Sequence, residues 1–239
     1  MIAREDGPHE AATLLLIHGT AASLHSWDPL VPLLTDTRHV VRVDLPGFGT
    51  IVEQAKLVGA ELDQLGVEQT TVVGHSSGGC VATALAEDRP DLATALALIS
   101  TGPDMAAYTG EAITVTPREW PDLTDDQLRQ IMSNAFAPGY QIPQPLLDEA
   151  RGMDLMAFAA MSQAIRAYLD ERSLPNRLAP LGKPLLVLFG AEDRRWRPSS
   201  AADYHAVPGA RVELLPGVGH SPNIEDPART AALLLAFQL

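Results

Sequence analysis

Short, uninterrupted apolar runs alternate with longer amphipathic segments through the first hundred residues, and this alternation limits the chain to few architectures. TLLLI (13–17) leads to a helix candidate around Ser26 to Leu34, and HVVRV (39–43) to a second, IVEQAKLVGAELDQL. TTVVG (70–74) leads to a third, beginning near Ser77, which precedes ATALALIS (93–100). Strands that are apolar at every position, rather than at alternate ones, are buried on both faces. Helices between them supply the covering layers. The pattern therefore predicts an α/β chain with a mostly parallel, twisted sheet and right-handed crossovers.

The alternation breaks after Thr101, and no strand-like run occurs before about Ser173. LTDDQLRQIMSNAF carries Thr124 and Gln127 at the spacing of a capping box, and QPLLDEARGMDLMAFAAMSQAIRAYLDER is strongly helical. PLLVLFG (184–190) restores the pattern, followed by a helix candidate near Ser199 to Tyr204, RVELLPG (211–217) and a C-terminal helix. The expected organisation is one core, residues 1–101 and 174–239, with a helical insertion at 102–173. A length of 239 residues suits one substantial domain with such an excursion.

A formal charge of −13 weighs against nucleic acid and anionic membrane surfaces as partners, because both call for basic surface. No stretch approaches the roughly eighteen consecutive apolar residues of a spanning helix. The run Leu14 to Ile17 is too short for the core of a signal peptide. The lone cysteine, Cys80, excludes an intrachain disulfide and reads as a buried helix residue. A cytoplasmic protein acting on a small molecule is the expectation, and oligomeric state is left open.

The chemistry concentrates in VVGHSSGG, where a strand runs through Gly-His-Ser-Ser-Gly into a helix. A nucleophile held at such a strained turn stands clear of the sheet, and the residues two before and two after it must be small, because strand and helix pass close together. Gly74 and Gly78 bracket Ser76 in this way, whereas Ser77 has His75 at its minus-two position. Ser77 instead opens the helix, where its backbone N–H can face a developing oxyanion. A serine at neutral pH needs a base, and the base needs an orienting group. Of seven histidines, His220 lies between the last strand and the last helix, and loops after strand C-termini are where parallel sheets assemble sites. Asp193, in LLVLFGAEDRRW, occupies the equivalent place after the preceding strand, with Asp104 as the runner-up acid. The order Ser76, Asp193, His220 fits a triad. LIHGTAAS offers the Thr20 amide as a second oxyanion donor, with His18 bracing the loop. The histidines show no metal-ligand spacing, so no metal is expected, and no cofactor either.

LLIHGTAASLHSW, VVRVDLPGFG, VVGHSSGG, LLVLFGAED and LLPGVGHSPNIEDP together resemble the α/β-hydrolase superfamily, in its serine-nucleophile branch, across nearly the whole chain. The resemblance implies a sheet of about eight strands, with a helical cap over the site after the sixth. Two departures stand out. Only about a dozen residues precede TLLLI, where the family begins with a strand hairpin, and Thr50 follows DLPGFG where the family has a serine and a longer loop. Serine at the elbow sets the chain apart from relatives with aspartate there, and Ser77 from aminopeptidases with tryptophan next to the nucleophile. The resemblance thus implies acyl chemistry on an ester, lactone or thioester. C–C bond hydrolysis, acyl transfer, cyclisation and ligand reception are alternatives on the same fold. Met132, Phe136, Met153, Met156 and Phe158, within the insertion, suggest an apolar substrate pocket, or simply helix packing.

Overall fold

The computed structural model describes residues 2–111 and 114–237. Met1, Ala112, Ile113, Gln238 and Leu239, which fall within the expected core and insertion spans, lie outside the described residues. The first half runs β1 (Ile2–Asp6), β2 (Thr13–Ile17), β3 (His39–Asp44), α1 (Ile51–Gln64), β4 (Thr70–His75), α2 (Ser77–Asp88) and β5 (Ala93–Ile99). The insertion holds α3 (Asp125–Met132), α4 (Gln144–Arg151) and α5 (Leu155–Glu171). The chain closes with α6 (Leu174–Leu178), β6 (Leu185–Gly190), β7 (Arg211–Leu215), α7 (Pro222–Glu225) and α8 (Pro227–Phe237).

The strands form one seven-stranded sheet in the order β1-β3-β2-β4-β5-β6-β7. Only β1 runs antiparallel, pairing with β3 at the edge; the remaining pairs are parallel. Successive residues of β2 serve opposite layers, which explains its unbroken apolar sequence. Leu15 and Ile17 pack with Ile51, Val58 and Leu62 of α1 and Val81 and Leu85 of α2. Leu14 and Leu16 pack on the other face with Trp27, Leu30, Leu34 and Leu234 of α8. Each such leucine contributes roughly 1.5–3 kcal/mol by leaving water.

Three expectations are corrected. The described strands number seven, with a single strand ahead of β2, so the helical excursion follows the fifth observed strand rather than the sixth. The segment around Ser26 to Leu34 forms two short 3₁₀ turns, Leu24–Trp27 and Val31–Leu33, instead of a helix. Pro29 and Pro32 both lack the amide hydrogen that an α-helical ladder needs there. The helix candidate near Ser199 is likewise 3₁₀, Pro198–Ala206. The abrupt passage from Gly49 into α1 is closed by Thr50, which forms a capping box with Glu53.

The insertion has its own small cluster of Trp120, Leu128, Leu147 and Leu155. The Thr124–Gln127 capping box starts α3 as expected, and Asp154 accepts from the Met156 and Ala157 amides to start α5. Farther along α5, Met161, Tyr168 and Leu169 join the main core. The Tyr168 hydroxyl donates to Glu87 of α2 at 3.0 Å, and Arg177 of α6 bonds the same carboxylate at 3.2 Å. This end of the excursion is thereby tied to the sheet layer.

Candidate active site

The carboxyl ends of β2, β4, β6 and β7 lead into the loops that hold the candidate residues. Ser76, between β4 and α2, has φ +53° and ψ −121°. For a residue with a side chain this backbone is strained, of order 1–3 kcal/mol, and must be held by its surroundings. The Ser76 amide donates to the Ile99 carbonyl at 2.8 Å, and its carbonyl accepts from the Thr101 hydroxyl at 3.0 Å. The bracketing glycines are sterically required. A Cβ on Gly74 would strike the backbone of Gly78 and Gly79, and one on Gly78 would strike the carbonyl oxygens of Ile17 and His18. Gly19 passes so close that an added Cβ would lie 3.1 Å from that of Ser76.

Ser76, His220 and Asp193 form a hydrogen-bonded line. The Ser76 hydroxyl and His220 Nε2 are 3.0 Å apart, and His220 Nδ1 donates to Asp193 Oδ2 at 2.8 Å. The other carboxylate oxygen of Asp193 accepts the amides of Arg195 at 2.8 Å and Trp196 at 3.0 Å. Burial opposes the charge on Asp193, but His220 beside it and these two amides outweigh that cost and hold the carboxyl below its usual range. With Nδ1–H committed to a carboxylate, His220 Nε2 is left as the acceptor facing serine. Glu192 is exposed, and Asp104 caps a 3₁₀ turn by accepting from the Ala107 amide, so neither competes with Asp193.

The His220 loop is fixed from beneath. Glu225 accepts from the amides of Gly219 and Ser221, both at 3.0 Å, and from that of Ala137 in the insertion at 2.7 Å. The Ser221 hydroxyl donates to the Ala135 carbonyl at 2.9 Å. His18 braces its loop as expected: Nδ1 donates to the Gly19 carbonyl at 2.8 Å, while Nε2 accepts from the Leu45 amide at 3.0 Å. Burial lowers its pKa and keeps the ring neutral, as this pairing requires.

The Thr20 hydroxyl donates to the Ser77 hydroxyl at 2.8 Å, which draws the two proposed amide donors toward each other. Among the described residues neither the Thr20 nor the Ser77 amide is paired with an acceptor. Both residues line, with Ser76, a cavity of about 700 Å³. A smaller one, about 110 Å³, also reaches Ser76 and includes His75 and His220. Met156 lines the larger, Met132, Phe136 and Met153 the smaller, and Phe158 both. The five residues are thus divided between two cavities, and Met132 and Met153 also pack in the insertion's own cluster.

Sequence reasoning passed over His75 and Arg195. His75 is buried, and its Nε2–H donates to the His220 carbonyl at 2.8 Å. Desolvation, aided by the charge of His220, drives its pKa down to about 3, so it is a neutral strut. Its place immediately before Ser76 was the available signal. Cys80 is buried as expected, though it touches the larger cavity, and burial pushes its thiol up to about 12. At the opposite end of the sheet, ligand atoms of Glu5, His9 and His39 lie within 4.8 Å of one another, a donor set able to hold a metal ion. Pairing of β1 with β3 brings them together, which sequence spacing does not reveal.

The sequence profile of the Alpha/beta hydrolase family matches residues 14–233. The chain belongs to this family. It is an enzyme with the α/β-hydrolase fold, as the five sequence stretches implied. It is 31% identical to the dihydrolipoyllysine-residue acetyltransferase component of an acetoin cleaving system from Cupriavidus necator, over 94% of this chain and 63% of that protein. The match thus spans less than two thirds of that relative's length. The uncharacterized hydrolase YugF of Bacillus subtilis is 27% identical, over 90% of this chain and 85% of its own. A solved hydrolase from Pseudomonas aeruginosa superimposes with a TM-score of 0.80 at 24% identity, covering 98% of this chain and 92% of the other, a likeness of fold. No helix among the described residues is long and apolar enough to cross a membrane.

Proposed function

We propose that this enzyme is a serine hydrolase acting on an ester, lactone or thioester bond of a small, largely apolar molecule. The observation that carries the reading is the line from Ser76 Oγ through His220 to Asp193, at the junction of two cavities. Ser76 Oγ attacks the substrate carbonyl carbon while His220 Nε2 takes its proton. The amides of Thr20 and Ser77 receive the oxyanion, a contribution worth roughly 10²–10³-fold per donor in comparable sites. His220 then returns the proton to the departing alcohol or thiol. Water repeats the sequence on the acyl-enzyme, releasing the acid and restoring Ser76. Asp193 keeps the imidazole oriented and stabilises its charged form.

Residues 102–173 act as a lid whose apolar side chains shape the pocket, over a core of residues 1–101 and 174–239. The lone, buried Cys80 suits a reducing compartment such as the cytoplasm. Transfer of the acyl group to an acceptor other than water is a second reading, supported by the acetyltransferase name of the Cupriavidus relative.

Two measurements test the reading. A fluorophosphonate should label Ser76 in the folded protein, and a series of p-nitrophenyl esters, lactones and thioesters should reveal turnover that Ser76→Ala abolishes. Absence of both labelling and turnover overturns it. An added alcohol or thiol that captures most of the acyl group would replace hydrolysis with transfer.

A further inference from the structure

Arg195 lines both cavities that meet at Ser76. Its side chain makes one hydrogen bond, from Nε to Asn134 Oδ1 at 3.2 Å, and no carboxylate pairs with it among the described residues. Among the described residues, both terminal guanidinium nitrogens, with four N–H groups between them, thus lack a protein acceptor. Burial pulls this guanidinium below its ordinary pKa, against the raising influence of Tyr108 and Asp193. Arg195 is half-buried, and a guanidinium that faces a cavity without a paired carboxylate is placed to receive an anion there. The smaller cavity carries Glu149, whose Oε1 is buried without a partner and would repel an anion. The larger cavity also carries one carboxylate, that of the exposed Glu111, but offsets it with a second cation, Arg166 of α5, likewise exposed at its wall.

We infer that Arg195 receives a carboxylate of the substrate, held in the larger cavity, so that the preferred substrates are esters or thioesters carrying a second, anionic carboxyl group. The walls of that cavity, among them Leu155, Phe158 and Trp196, suit an apolar spacer between the two ends. A planar guanidinium takes a carboxylate through two parallel N–H···O bonds, which lysine cannot reproduce. The inference rests on the proposed reaction only in locating that anion on a substrate.

The test separates the two ideas. Binding of monoethyl adipate and of neutral diethyl adipate to the Ser76→Ala protein is measured by calorimetry, so that turnover does not enter. The half-ester should bind about ten- to a hundredfold more tightly than the diester, as charged hydrogen bonds allow. Arg195→Gln should erase that ratio, and Arg195→Lys should restore part of it. In the Ser76 protein, Arg195→Gln should lower the ratio of kcat/KM for the half-ester over the diester by a similar factor. Equal affinity for the two esters, or a ratio unmoved by Arg195→Gln, overturns the inference even if neutral esters are hydrolysed. An Arg195-dependent preference in binding with no ester hydrolysed by the Ser76 protein would uphold it while removing the proposed reaction.

Discussion

The hydrogen-bonded line at the strand ends and the cavity walls around it are built on opposite terms. Ser76, His220 and Asp193 sit on short loops, and each is held by bonds to backbone or to another of the three. Glu225 anchors the amides on either side of His220. The walls are instead supplied largely by insertion residues with soft, long side chains, of which Met156 is 68% exposed. Two charged groups there, Arg195 and Glu149, keep unused bonding capacity. The contrast teaches a division of labour. Geometry that must be accurate to a fraction of an ångström is fixed by the sheet, and surfaces that must suit one ligand are left to adaptable residues.

The largest effect is expected from removing the proposed nucleophile. Ser76→Ala should lower kcat by at least about 10⁴-fold with little change in thermal unfolding, because it deletes one hydroxyl at the cavity. Asp193→Asn comes next. An amide cannot accept the His220 Nδ1–H and the two backbone amides with the same charge, so the wrong imidazole tautomer becomes favoured; a fall of about 10³–10⁴-fold in kcat is expected. Comparable losses from Met156→Ala, which touches only the cavity wall, would erase the distinction between line and walls.

How much of this was legible follows the same division. The elbow was readable because steric need leaves a pattern in sequence: Gly74 and Gly78 admit no side chain, and the structure gives the colliding atoms. Asp193 and His220 were readable from their places after strands. Arg195 and Glu149 were not, since nothing local marks an arginine in EDRRWRP as cavity-facing; only the packing of loop against insertion does so. The segment before β3 forms two 3₁₀ turns rather than a helix because Pro29 and Pro32 interrupt the α-helical hydrogen-bond ladder. The Glu5–His9–His39 grouping depends on antiparallel register at the sheet edge, which spacing along the chain cannot convey.

Glu225→Ala frees the amides of Gly219, Ser221 and Ala137 together. It should destabilise the fold by about 2–4 kcal/mol, as buried donors lose a charged acceptor, and cut kcat more than it raises KM. Urea unfolding and steady-state kinetics would check both. An unchanged kcat would mean that the His220 loop holds its place without the carboxylate. Acid should act on the neutral struts. His75 is held near 3 in the fold and returns to about 6.5 when unfolded, so the unfolded chain binds a proton that the native one refuses. Stability is therefore full above pH 6.5 and falls as pH is lowered toward 5, by about 2 kcal/mol from His75. His18, also lowered by burial, adds to the fall in the same direction. His75→Gln should flatten the pH dependence of the urea midpoint in this window, where the depressed carboxyl of Asp193 does not titrate.

The mildest change tests the boundary between the two regions. Ser77 stands beside the proposed nucleophile, yet among the described residues its side chain does no more than accept the Thr20 hydroxyl at 2.8 Å. If the oxyanion is received by backbone amides, Ser77→Ala removes none of the acting groups and loosens only the link between the two donor segments. A decrease in kcat within about fivefold is expected, roughly 1 kcal/mol. Thr20→Ala should cost about the same, and the double variant should cost no more than either alone, because both single changes delete the same hydrogen bond. Additive losses would mean that each hydroxyl acts separately on the substrate, and Ser77 would then belong to the reacting line rather than to its support.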